Sequence, residues 1–374
     1  MLTAEDALRL NVLLANRPLA VRIDEPRLTV HGLMPGGEAQ LQLHPNCREE
    51  QYLKQVREAL SGHVLGSPGG YPVYLQRWTR MGQMRDESLE QLLLLGEPEA
   101  VVAAVCAPGL TDELASRAWW AMEDAENARR MLQREPVARG NMGPVLAAYL
   151  VEHLPFETEP EKMIESVRLA VKPGLIDDGL RDDLWRKAAR RQAYYVGFLL
   201  TTPDDLPLEA PAHPLWPAVV GALGDSAAAP GTGCLAKVLS AAGQAFLDTF
   251  HVVLDKPANQ DVVNSALAAV ADYFRPLRPE GVPDATLDSL LAEAEGYARS
   301  PPAPFGDLVA AVPDARPLLK SVRVLSGLGY GVVRPIFGDS TAIGSLMRRK
   351  LEPLFAPLRG EVDLLRGGRR APLL

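Results

Sequence analysis

The chain has 374 residues, 47% hydrophobic, 6% aromatic and 23% charged, with a formal net charge of −8. Its length exceeds what one hydrophobic core usually serves, so two or three domains are expected. The mild acidity argues against a general nucleic-acid binder, and the scarcity of aromatics leaves Leu and Ala to fill a largely helical core.

Residues 3–15 read as an amphipathic helix, with Thr3 placed to cap it and Leu8, Val12 and Leu13 along one side. The apolar period then changes to two. Residues 19–23, 28–31 and 40–43 alternate, with turns at Glu25-Pro26 and Gly36-Gly37, which predicts three short strands in an antiparallel meander. A helix at about 47–61, carrying Tyr52, Leu53, Val56 and Leu60 at helical spacing, completes a small α+β unit over residues 1–66. Residues 67–200 are punctuated at Gly96-Glu97-Pro98, Ala107-Pro108-Gly109, Glu135-Pro136, Leu154-Pro155 and Lys172-Pro173-Gly174. That spacing gives short helices, each too short to be stable alone, which must stack into an irregular array. Thr158 and Glu161 bracket Pro160 at capping-box spacing, and Met142, Val145, Leu146, Tyr149 and Leu150 form an apolar stripe.

Residues 201–217 hold Pro203, Pro207, Pro211, Pro214 and Pro217 and read as a stiff extended linker. Beyond it, 218–358 is a second, alanine-richer helical domain, and 359–374, with Gly367-Gly368-Arg369-Arg370, reads as a flexible tail. The fold class is mostly α: an irregular, solenoid-like helical array with a small N-terminal α+β unit. The 32 prolines are expected at helix starts and in connections.

Few residues advertise chemistry. Cys47, Cys106 and Cys234 are too far apart for a disulfide framework, a structural zinc site or an iron–sulfur cluster, and the six histidines are scattered. No metal or cofactor is expected. Pro230 to Lys237 lacks the ending of a phosphate-binding loop and reads as a loop with Thr232 capping a helix. Gly327, Gly329 and Gly331 are spaced too tightly for a dinucleotide turn and predict close backbone packing at a bend. The acidic start MLTAEDALRL is unlike a secretory signal, and no apolar run approaches the ~18 residues of a membrane span, so a cytoplasmic protein without membrane contact is expected.

Two basic clusters are the binding candidates. Tyr74, Arg77, Trp78 and Arg80, with Arg85 beyond, can hold an anion by forked hydrogen bonds and stack on a planar group; the same residues also suit a sealed junction. Arg186, Lys187, Arg190 and Arg191 are paired one helical turn apart and flanked by Trp185, Tyr194 and Tyr195. They also complement the dipole of a helix that begins at Asp177 and Asp178. Arg348-Arg349-Lys350 is a third, smaller cluster.

The run from His63 to Gly82, HVLGSPGGYPVYLQRWTRMG, resembles the DsrS family, accessory proteins encoded with the dissimilatory sulfite reductase cluster of sulfur-oxidising bacteria. LLLLGEPEAVVAAV at 92–105 and VLSGLGYGVVRPIFGDSTAIGSLMRRKLEP at 324–353 are similar too. The resemblance spans most of the chain and weakens between about 201 and 300. It implies a cytoplasmic protein connected with sulfur oxidation and brings no catalytic or cofactor residues. The expected function is that of a non-enzymatic accessory or regulatory protein, a helical scaffold that binds another protein of that system. The alternatives are an RNA- or polyanion-binding regulator using the arginine clusters, and an enzyme with a site near Tyr71–Trp78.

Overall fold

The structure is a computed structural model and describes residues 2–66, 87–338 and 344–369. It is mostly helical, with twenty helices among the described residues and one three-stranded antiparallel sheet after the first helix. Contacts divide the chain into two compact units, Met1–His153 and Leu154–Leu374.

In the first unit, α1 (Ala4–Ala15) starts where Thr3 accepts from the Asp6 N–H at 3.2 Å. Its buried face is Asp6, Leu10, Leu13 and Leu14, so Leu13 is in the core but Leu8 and Val12 are exposed, contrary to expectation. The cause is polar. Tyr52 on α2 (Glu49–Leu65) donates to Asp6 at 2.5 Å and the His44 N–H donates at 2.8 Å, which turns that face inward. These bonds hold the Asp6 carboxyl below its ordinary pKa, against the opposing effect of its burial. The strands β1 (Ala20–Asp24), β2 (Thr29–Met34) and β3 (Gly37–Gln42) form the expected meander, in the order β1-β2-β3. Val21, Val30 and Leu41 face Tyr52, Leu53, Val56 and Leu60.

This sheet does not stand apart at residue 66. The Val21 N–H donates to Leu93 O at 2.8 Å, just beyond α3 (Glu87–Leu92), and α5 (Asp112–Ala121) packs on β1. Arg22 lies 4.6 Å from the centre of the Trp120 ring. The helices α4 (Pro98–Cys106), α6 (Ala125–Leu132), α7 (Glu135–Ala138) and α8 (Met142–His153) complete the unit. In the stripe on α8, Val145 is exposed while Met142, Leu146 and Leu150 are buried.

The second unit opens with a short 3-10 turn (Leu154–Phe156) and α9 (Pro160–Ala170). Pro160 occupies the first helical position, which makes Glu159 the cap and leaves Thr158 outside; the capping box does not form, and the Glu157 carboxylate accepts from the Thr158 and Glu159 N–H groups instead. Then come α10 (Asp178–Ala188), capped by Asp177, and α11 (Ala193–Thr201). Every residue of α11 from Ala193 to Leu199 is buried. A helix apolar on all sides needs neighbours on all sides. It takes α9 on one, and α14 (Ala241–Asp255) and α15 (Gln260–Tyr273) on another. Residues 202–215 hold no helix or strand, as a linker would, yet both flanks belong to the same unit, because α11 cannot be covered by α9 alone.

Helices α12 (Trp216–Leu223) and α13 (Pro230–Leu239) follow that stretch. Thr232 lies inside α13 and not at its cap; its hydroxyl donates back to Ser226 O and Ala229 O, a buried arrangement. Cys234 is buried there, and burial pushes its thiol up to about 12. Beyond lie α16 (Leu287–Arg299), α17 (Phe305–Ala311), α18 (Ala315–Leu325), α19 (Tyr330–Phe337) and α20 (Gly344–Leu365). The glycine-rich bend leading into α19 and the first turn of that helix are closely packed: a Cβ on Gly327 would meet the Leu290 side chain at 2.7 Å, and one on Gly331, inside α19, would meet Ala285 O at 2.8 Å. Pro335, Pro353 and Pro357 sit inside α19 and α20, not at starts or connections. Around the last two, Leu351, Phe355, Leu358 and Val362 are buried, and that packing offsets the lost helical hydrogen bonds.

The flexible tail does not begin at 359. α20 continues to Leu365, and Gly367 and Gly368, both at positive φ, close it as a left-handed cap. Arg366, only 1% exposed, pairs with Asp248 at 2.6 Å and Asp363 at 2.7 Å, and Arg369 donates to Gln244 at 2.7 Å and to Pro211 O at 3.1 Å. His251 lies beside this network, 3.4 Å from Asp363.

Two predictions follow from this packing. A Cβ on Gly197 would meet Val167 at 2.7 Å, so α9 and α11 touch there. Gly197→Ala is expected to lower stability by ~1–3 kcal/mol by overpacking, although alanine favours helix by up to ~1 kcal/mol; chemical denaturation measures the sign. Burial, reinforced by Arg366, holds the His251 imidazole below its ordinary value of 6.5, and burial acts the same way on His213. The unfolded chain therefore takes up these protons first, and stability falls as pH drops below about 6.5. A His213→Gln, His251→Gln double variant should show a shallower loss of melting temperature between about pH 7 and about pH 5 than the parent.

Candidate anion-binding cleft

Of the sequence candidates, Tyr74, Arg77, Trp78, Arg80 and Arg85, and the neighbouring Tyr71, lie outside the described residues. The second cluster is split in two by the structure. Arg186 and Lys187 lie in the last turn of α10, where both pair with Asp183, at 3.2 Å and 2.6 Å. The Lys187 ammonium, with Arg186 beside it, holds the Asp183 carboxyl below its usual pKa. Arg190 and Arg191 lie beyond that helix, so the one-turn pairing with 186 and 187 fails. The Arg190 N–H bonds to Lys187 O and the Arg191 N–H to Ala188 O, which closes the helix in a tight turn. The flanking aromatics are core: Trp185 meets Tyr195 and Phe198 edge-on, with ring centres 4.9 Å and 5.1 Å apart.

Arg191 folds its guanidinium onto the carbonyls before α9, donating to Leu154 O and Glu157 O at 3.3 Å and to Pro155 O at 3.4 Å. Tyr194 O–H reaches Leu154 O at 3.5 Å, and burial raises its pKa against the pull of Arg191. Arg191 is thus a fastening for the turn between α10 and α11. Arg190 is exposed and has no carboxylate partner among the described residues.

That turn forms one wall of a cleft of about 420 Å³ within the second unit. Arg190, Arg191 and Gln192 contribute from it, Pro160 and Met163 from the first turn of α9, and Ala193 from the start of α11. Lys256 and Ala258 come from the connection between α14 and α15, Val262 from α15, and Arg348 from α20. Hydrogen bonds pin each wall. Gln192 Nε2 donates to Val252 O at 3.2 Å, Asn259 caps α15 by accepting from the Val262 N–H at 3.0 Å, and Arg348 donates to Pro257 O at 3.5 Å. Met163 and Val262 are buried and give the cleft an apolar floor.

Four cations line this space, and no carboxylate does among the described residues. Of the acids next to the lining residues in sequence, Glu159 pairs with Lys162 at 2.7 Å, Asp261 accepts from Asn259 at 2.8 Å and Asp255 lies 4.0 Å from Arg359, while Glu161, in the first turn of α9, is exposed. Like charges gathered around one concavity raise its potential and its attraction for anions. The sequence had marked Arg190 and Arg191 as binding residues and Arg348 only as part of a minor cluster; Lys256 was missed, since a single lysine before a proline carries no local signal.

A second cleft of about 420 Å³, in the first unit, lies between α1 and β3 and is lined by Leu8, Val12, Met34 and Leu41. Its one charged member, Arg9, pairs with Glu5. Among the described residues no group of His, Cys, Asp and Glu could hold a metal ion, and no helix is long and apolar enough to cross a membrane.

If Arg191 is a fastening and Arg190 a free charge, their substitutions will separate. Arg191→Met is expected to destabilise by ~1–2 kcal/mol through its stranded carbonyls, and Arg190→Met to stay within ~0.5 kcal/mol, in urea titrations of the two variants. No protein-family model, no curated protein and no solved structure matches this chain.

Proposed function

We propose that this chain is a non-enzymatic accessory or regulatory protein of bacterial sulfur oxidation that acts by binding an acidic partner, with the cation-lined cleft as its recognition site. The observation that carries the reading is the convergence of Arg190, Arg191, Lys256 and Arg348, from distant parts of the chain, on one apolar-floored space without a lining carboxylate. The lining offers charge and apolar contact but no His, Cys, Ser, Asp or Glu among the described residues, which supports recognition over catalysis. The link to sulfur oxidation, and with it a cytoplasmic setting, rests on the resemblance of residues 63–82, 92–105 and 324–353 to the DsrS family.

The RNA-binding reading is disfavoured on physical grounds. A nucleic-acid backbone needs a continuous basic track. Arg186 and Lys187, which would extend the track from Arg190, share the single Asp183 carboxylate, which offsets one of their two charges.

Affinity capture from sulfur-oxidising cells tests the proposal, comparing the tagged parent with an Arg190→Gln, Lys256→Gln, Arg348→Gln variant, each with and without nuclease. The expected result is a protein of the sulfur-oxidation system that co-purifies with the parent despite nuclease and is lost from the variant. Equal recovery with the variant would remove the cleft from the function, and loss after nuclease would favour RNA.

A further inference from the structure

Resting on the reading of this cleft as the recognition site, we propose that it also takes a small organic phosphate monoester, which competes there with the acidic partner. The ester's dianion is held by Arg190, Lys256 and Arg348, and its organic body lies against Met163 and Val262.

Charge decides the head group. Arg190 and Lys256 have no anionic partner among the described residues, and Arg348 reaches only a backbone carbonyl. One carboxylate would leave most of that charge unbalanced, whereas a phosphate dianion offers three oxygens to two guanidinium forks and one ammonium. Two helices begin at the cleft without a side-chain cap. α11 starts after Gln192, and α9 starts with Pro160 after Glu159; neither cap position makes a side-chain hydrogen bond. The first turn of α11 carries no acid, so its positive dipole end adds to the pull on an anion, whereas Glu161 in the first turn of α9 offsets that of α9. α15, by contrast, is closed by Asn259.

The organic body follows from the rest of the wall. Met163 and Val262 place apolar surface beside the cations, which a free phosphate ion cannot use and an organic body can. The volume of about 420 Å³ suits a molecule of small-metabolite size.

Calorimetric titration of the full-length chain tests this with adenosine monophosphate and glycerol phosphate as esters, and adenosine, inorganic phosphate and hexaglutamate as controls. At least one ester is expected to bind saturably at one site, about tenfold or more tighter than inorganic phosphate or adenosine. Arg190→Gln and Arg348→Gln should each weaken it about tenfold. Ala258→Glu, at an exposed lining position, removes no native contact and should abolish ester binding with the melting temperature unchanged. Binding of neither ester, or binding indifferent to Arg190→Gln, Arg348→Gln and Ala258→Glu, overturns the inference. If hexaglutamate binds and is lost on Ala258→Glu while both esters fail, the phosphate inference falls and the recognition cleft stands. If no anion binds, both fall.

Discussion

The second unit depends on one helix that has no outside. α11 is nine residues long, and all but its last two are buried. Such a helix contributes stability only if several partners exclude water from it together. Gly197 sets how closely α9 approaches, since the Val167 side chain occupies the space a Cβ would take. With α9 fixed on one side and α14 and α15 on another, the residues before α11 have few places to go. The turn 189–192 is held beside the starts of α9 and α15, and Arg190 and Gln192 come to rest on a cleft no single element could make. The candidate site is a by-product of how α11 is covered.

Two kinds of charge follow from that arrangement. Around Arg366 every buried charge has an opposite: Asp248 and Asp363 balance Arg366, and Arg369 adds a contact to Asp248 at 3.6 Å. Removing one partner there would leave an uncompensated ion in a low-dielectric interior, so the network specifies geometry more than it adds stability. Around the cleft no carboxylate balances the cations among the described lining residues. Surface charge left unpaired beside apolar residues is what a binding site for anions requires and what stability alone does not.

Local chemistry was legible in the sequence and convergence was not. Thr3, the strand alternation, Asp177 at a helix start and the close packing at Gly327 and Gly331 each concern residues near one another in the chain. The failures are of two sorts. Thr158 and Thr232 matched cap patterns, but Pro160 and Pro230, at first helical positions, moved the real caps to Glu159 and Ala229. Leu8, Val12 and the supposed tail were misjudged because Asp6 and Arg366, polar by type, are buried by partners far away in sequence, Tyr52 and Asp248. The Gly367-Gly368 pair was in fact a readable helix stop. Of the candidate site, Arg190 could be named but not its companions, for nothing local links it to Lys256 or Arg348.

The locking of Arg366 and Arg369 onto α14 also bears on how the protein is made. Asp248 lies far upstream of the arginine that neutralises it, with a sequence separation of 118 residues. During synthesis α14 leaves the ribosome long before α20, so the nascent second unit carries a carboxylate destined for the interior with no counter-charge. That carboxylate meets its counter-charges only once residues 366 and 369 have emerged. The first unit has no such wait, since its Asp6 meets Tyr52 within the first 52 residues. Translation therefore builds the two units on different schedules, and the half that carries the cleft is the one completed after elongation has passed it.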